Sequence, residues 1–192
     1  MGYPEYAKVG DKLYKINTDF RIAIKCNEIA TDETIGDYER ALGIIFLLFG
    51  EEGINTFEDH EQLLERAKKY LLCGKELDIK NNEEPDMDYI EDMDYIEASF
   101  MSDYHIDLSN EEMHWWKFNK LINGLSNSEF GSCCVLNRIR NLRSYDIKNI
   151  KDSKEREKIL KAKDEVALKR NRKKATKEQQ ESAENLLKML NI

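Results

Sequence analysis

Proline is nearly absent from this 192-residue chain, with 2 copies, and glycine is sparse at 9. Proline breaks helices and glycine weakens them, so their scarcity leaves room for long helices and excludes a collagenous or proline-rich low-complexity chain. Long apolar runs are missing too: "IIFLLF" at Ile44–Phe49 is the longest, far short of the ~18 residues that a bilayer span needs. The opening "MGYPEYAKVGDKLYK" has no apolar signal core, so a soluble, unexported protein is expected. Cysteine is limited to Cys26, Cys73, Cys133 and Cys134, without a C-x-x-C spacing, and His60, His105 and His114 are remote from them and from one another. That scatter fits reduced thiols and supplies no metal-ligand set. No Gly-rich phosphate loop, nucleophile motif or deaminase signature occurs, so neither a catalytic residue, a cofactor nor an enzymatic activity is expected.

Charge, by contrast, is plentiful at 35% of residues, and its sign is uneven. Of the 30 Lys or Arg and 38 Asp or Glu, residues 151–192 hold 13 and 8, which leaves 17 and 30 for residues 1–150. An acidic body repels phosphate, so the chain as a whole does not read as a DNA-binding domain. Its basic tail leaves open partner binding, self-association or a nucleic-acid-binding regulatory role.

The apolar pattern is helical after a short start. "AKVGDKLYKI" places Val9, Leu13, Tyr14 and Ile16 around Gly10-Asp11, which predicts a hairpin. Asn17 or Thr18 then caps a helix through Phe20, Ala23 and Ile24 to about Ala30. A second helix follows Ile35, Tyr38, Leu42, Ile45 and Phe49, broadened by Phe46 and Leu48, and stops at Gly50. Thr56, with Asp59 three residues on, opens a third, lined by Leu63, Leu64, Ala67, Tyr70 and Leu71 and ended by Gly74. Asn81, Asn82 and Pro85 mark a polar loop. A six-residue repeat, "MDYIED" and "MDYIEA" over Met87–Ala98, predicts a helix with Met87, Ile90, Met93, Ile96 and Phe100 inside and its acids in water.

"LSNEEMHWWKFNKLINGL" concentrates both tryptophans beside a histidine. Ser109 and Glu112 have capping-box spacing, and Leu108 can staple onto Met113, so a helix starting at Ser109 is expected. Trp115, Phe118, Ile122 and Leu125 form its apolar stripe; Trp116, about 100° round, borders it. His114 has no nucleophile or third partner nearby, which favours packing over catalysis. Base stacking on the tryptophans would need a basic groove, and only Lys117 and Lys120 are close. A further helix runs through Phe130, Cys134, Val135, Ile139 and Leu142, with Arg138, Arg140 and Arg143 set to pair with the acidic helices. From Asp152 to Lys174 a solvated helix with i,i+4 pairs such as Glu157–Lys161 is expected, and Leu186, Leu187 and Leu190 restore an apolar patch. The expected fold is therefore mainly α: a compact helical domain over residues 1–150 with a short N-terminal β-hairpin, then a charged, basic helical C-terminal extension over 151–192.

Five blocks, "INTDFR" (Ile16–Arg21), "YIEASF" (Tyr95–Phe100), "IDL" (Ile106–Leu108), "MHWWKFNKLINGL" (Met113–Leu125) and "RSYDI" (Arg143–Ile147), resemble the bacteriophage "gene product fifteen" family over roughly Val9 to Lys169. The doubled hexapeptide and the chain beyond Lys169 depart from that pattern. The resemblance implies a protein of long-tailed phages and prophages of Gram-positive bacteria, encoded in the tail gene block near the tape-measure gene, and it carries no catalytic residues. It implies a tail assembly chaperone or adaptor that works in the host bacterial cytoplasm, with the tape-measure protein and other tail proteins as partners. A structural component of the virion tail is the alternative. Helix-in-groove contact would fall to Trp115, Trp116, Leu186, Leu187 and Leu190.

Overall fold

Period-two alternation at the N-terminus and helical periodicity beyond it give the elements of the computed structural model, which describes residues 2–76, 85–127, 133–148 and 150–169. In chain order they are β1 (Tyr6–Val9), β2 (Lys12–Lys15), α1 (Phe20–Thr31), α2 (Asp37–Asn55), α3 (His60–Leu71), α4 (Met93–Tyr104), α5 (Trp115–Asn123), α6 (Val135–Ser144) and α7 (Ser153–Glu165). A 3-10 turn, Phe57–Asp59, precedes α3. The fold is mainly α with a short N-terminal antiparallel hairpin, as the apolar pattern predicts. Leu186, Leu187 and Leu190 lie outside the described residues.

The chain divides into two units. One holds residues 1–83 and 100–125; the other holds 84–99 and 126–192. These cuts differ from the boundary expected at residue 150, because α7 packs with α6 and Leu168 beyond it is 1% exposed.

In the first unit α2 packs against α1 and α3, and α1 against α5. The hairpin turns through Gly10, whose φ of 56° is a left-handed conformation that costs glycine nothing. Register pairs Ala7 with Tyr14 and Val9 with Lys12, so Ala7, Val9 and Tyr14 share the buried face while Tyr6, Lys8 and Leu13 face water. Leu13 is thus not part of the core: at 61% exposure it sits on the wrong side of the pleat. β1 lies on α3 and β2 on α2. Tyr14 donates to Asp59 Oδ2 at 2.6 Å, which ties β2 to the 3-10 turn.

Several expected helix boundaries move. The cap of α1 is Asp19, whose carboxylate accepts from Arg21 N–H at 2.8 Å, rather than Asn17 or Thr18. Gly50 breaks α2 with φ 66° but does not end it, since helical backbone continues to Asn55. At the break, Leu48 O accepts from Asn17 N–H at 2.8 Å. Only part of the broad apolar face expected of α2 is buried: Ile44, Ile45, Leu48 and Phe49 are inside, whereas Tyr38 and Phe46 are exposed. Thr56 makes no capping bond; its hydroxyl donates back to Glu52 O.

The second unit is organised by one guanidinium. Arg143 meets the carboxylate of Asp92 through two bonds of 2.7 Å, and also donates to Asp86 O at 2.9 Å and to Val166 O at 2.7 Å. Asp92 is fully buried, so the first half of the acidic repeat is not a solvated helical face. Residues 89–92 form a turn, Asp92 accepts from Asp88 N–H, and α4 begins only at Met93. Expected pairing of the arginines with acids is seen at Arg143 and, at 3.0 Å, between Arg140 and Asp86. On α6 the core contact is Leu136 rather than the stripe through Val135 and Ile139. Ser99 Oγ donates to Tyr95 O at 2.7 Å and accepts from Leu136 N–H at 3.1 Å, which sets the start of α6 against α4. Asp152 caps α7, and Glu157 and Lys161 pair as their spacing predicts, at 3.1 Å.

Arg143→Ala strands a buried carboxylate and is expected to cost about 3–5 kcal/mol. Lys161→Ala removes only an exposed pair, worth under about 0.5 kcal/mol. Urea midpoints test the contrast, which equal losses would refute. The Tyr14 hydrogen bond holds the Asp59 carboxyl below its usual range. Its contribution is therefore present above the unfolded carboxylate range near pH ~3.9 and is lost as pH falls through the lower folded value. Tyr14→Phe should accordingly destabilise at neutral pH and progressively less below pH ~4 in thermal melts.

Candidate partner-binding cleft

Helix starts leave N–H groups without intrahelical acceptors, and the first turns of α1 and α5 solve this jointly. Phe20 N–H donates to Met113 O at 2.9 Å, and Trp115 N–H donates to Thr18 O at 2.8 Å, as a reciprocal bridge centred on Asp19 and His114. The next amide on each helix goes to a side chain: Arg21 N–H to Asp19, and Trp116 N–H to His114 Nδ1 at 3.0 Å. His114 Nε2 lies 3.1 Å from Pro4 O, so one tautomer satisfies both contacts, with Nδ1 accepting and Nε2 donating.

α5 therefore begins at Trp115 with His114 as its cap. The expected start at Ser109 fails because Asp107 captures both the backbone N–H and the hydroxyl of Ser109 in a turn of its own. Arg21 secures that turn, donating to Leu108 O at 2.5 Å and Glu111 O at 3.0 Å. A packing role for His114 holds in stronger form: its ring stacks on Tyr3 at 4.9 Å and meets Tyr70 edge-on at 5.9 Å.

The paired tryptophans answer a complementary need at the end of α3, where the last carbonyls lack intrahelical donors. Lys68 O accepts from Leu72 N–H, Lys69 O from Gly74 N–H, and Tyr70 O from Cys73 N–H. Trp115 Nε1 then donates to Leu71 O, and Trp116 Nε1 to Tyr70 O, each at 2.9 Å. Two neighbouring indoles thus serve two neighbouring carbonyls. The turn requires Cys73 and Gly74 in the left-handed region, at φ 54° and 74°, and a side chain on Gly74 would meet Trp116 at 3.3 Å.

Burial separates the two rings. Trp115 is 1% exposed and, like Phe20 and Phe100, stacks on Phe118. It is therefore removed from the expected contact surface, because its whole face is spent on the core. Trp116 is half-buried and borders an open cleft of about 500 Å3. Tyr70, whose phenol is pushed up by burial, lies beneath at 6.3 Å. β1 forms one wall through Tyr6 and Lys8, and α3 the other through Arg66 and Lys69. Arg66 Nε donates to Lys8 O at 3.1 Å, joining the walls.

Among the described residues, three cations and no carboxylate line this cleft, although the chain has a net charge of -8. Arg66 and Lys69 were not anticipated as site residues; their i,i+3 spacing on one face of α3 was the available signal. Chemically the cleft offers an aromatic floor, cations and backbone polar groups, which suits binding of another chain. Among the described residues no group of three or more His, Cys, Asp or Glu stands together as a metal site, and no helix is long and apolar enough to cross a membrane.

The architecture is that of a mainly α protein with an N-terminal hairpin and an open aromatic cleft beside it. The chain belongs to the Bacteriophage Gp15 protein family, whose model matches residues 5–168, and it is a phage protein. That match ends at Leu168, the last buried residue described. Comparison with curated proteins and with solved structures returns no match.

Trp115→Phe leaves Leu71 O without its donor and should cost about 1–3 kcal/mol. Trp116→Phe should cost less, because Tyr70 O keeps the Cys73 amide. Chemical denaturation of both variants tests the order; a larger loss at Trp116 would refute the capping account.

Proposed function

We propose that this protein is a non-enzymatic tail assembly chaperone or adaptor of a phage or prophage, which binds the tape-measure protein in the host cytoplasm. The observation that carries the reading is the open cleft at Trp116, held on a frame of reciprocal caps and left partly exposed beside the enclosed ring of Trp115. Membership of the Gp15 family supports the phage setting. The tail gene block in which the resembling proteins are encoded supports the choice of partner. The strong net charge would keep a complex with a long apolar helix in solution.

Co-expression with the tape-measure protein of the same gene cluster tests the proposal. The expected result is a soluble, co-purifying partner, with recovery reduced by Trp116→Ala or by deletion of residues 170–192. An insoluble partner in the presence of folded protein would overturn it. Stoichiometric recovery of this chain from purified particles by mass spectrometry would instead favour a structural tail component.

A further inference from the structure

Among the described residues the sheet has two strands, which leaves one edge of each unpaired. In this register Val9, Ala7 and Glu5 turn their polar groups toward β2; the Ile16 N–H to Glu5 O bond of 2.8 Å continues that series. Tyr6 and Lys8 must then point theirs away, toward the cleft they line. Of these outward groups, Lys8 O is taken by Arg66. Tyr6 N–H, Tyr6 O and Lys8 N–H have no partner among the described residues. An exposed edge of this kind is a template for another strand.

We propose that the cleft receives an extended acidic segment of a partner protein, which adds as a third strand along the outer edge of β1. The added strand pairs with the free groups of Tyr6 and Lys8. Alternate side chains rest on Trp116 and Tyr70, while carboxylates between them meet Lys8, Arg66 and Lys69. Charge decides in favour of this edge. The outer edge of β2 borders a wider hollow of about 890 Å3 in which Lys15 is accompanied by Asp19 and Glu112, so charge there is mixed. The inference rests on the cleft being a contact surface, as proposed above, but not on which protein fills it.

The test uses the full chain, 15N-labelled, with a capped octapeptide of alternating Glu and Val as the probe. A Lys-Val counterpart and a Glu-Val peptide N-methylated at alternate amides serve as controls. The acidic peptide should slow hydrogen exchange at the Tyr6 and Lys8 amides, shift the Trp116 indole resonance and bind more weakly as salt rises. Lys69→Glu, which removes an exposed side chain with no bond to the frame, should weaken binding about fivefold. Tyr6→Pro deletes one outward donor without touching the ladder and should abolish protection at Lys8; thermal melts establish that both variants fold. Equal binding by the Lys-Val or N-methylated peptide, or binding without change at Tyr6 and Lys8, would overturn the inference. Peptide binding without tape-measure co-purification would leave the strand site standing and remove the proposed partner; the reverse result would remove the strand site alone.

Discussion

Two hydrogen bonds between helix starts, Phe20 N–H to Met113 O and Trp115 N–H to Thr18 O, set the geometry of the first unit. They join segments about ninety residues apart, and each supplies what the other lacks. Once the starts of α1 and α5 are locked together, Phe20 and Phe118 stack at 4.5 Å, and the direction of α5 delivers both indoles to the end of α3. The cleft follows from that arrangement. Trp116 reaches Tyr70 O with its N–H but cannot turn further inward, because Trp115 already occupies the core.

The second unit follows a different rule. Its helices are short and polar, and α7 buries no residue within its bounds. Arg143 compensates with a planar array of donors, gathering one carboxylate and two carbonyls from two separate stretches of chain, the one before α4 and the one after α7. A guanidinium suits this role because it stays charged and its donors are fixed in a fork. Lys169 N–H reaching the carboxylate of Glu91 at 2.9 Å adds a second tie across the same stretches. Specificity in this unit thus resides in polar geometry as much as in apolar area.

The blocks that carry the family resemblance acquire physical meaning together. "INTDFR" contains the cap Asp19, the bridge residue Phe20 and Arg21, which grips the turn before α5. "IDL" contains Asp107, which builds that turn, and the buried Leu108. "MHWWKF" contains the other half of the bridge and both indoles. "YIEASF" supplies the buried Ile96, Ser99 and Phe100, and "RSYDI" opens with Arg143. Each block is therefore a place where polar groups from distant parts of the chain must meet in one geometry.

The sequence by itself determined the number and order of the early helices, the hairpin, the apolar stripe of α5 and the pairing of arginines with acids, because periodicity and charge are local properties that tertiary contacts seldom reverse. It misplaced the start of α5 for a physical reason. Ser109 and Glu112 satisfy a capping rule on paper, but Asp107 outcompetes them for Ser109, and the acceptor that Trp115 N–H needs lies far away at Thr18. The acidic repeat misled likewise, since nothing local marks Asp92 as the acid that meets Arg143. The cleft was legible only in fragments: Trp116 at a border, two cations on one face of α3, an alternating strand. Only tertiary structure could decide that these share one surface, because the strand edge, the helix face and the ring are brought together by hydrogen bonds between residues that no local pattern connects.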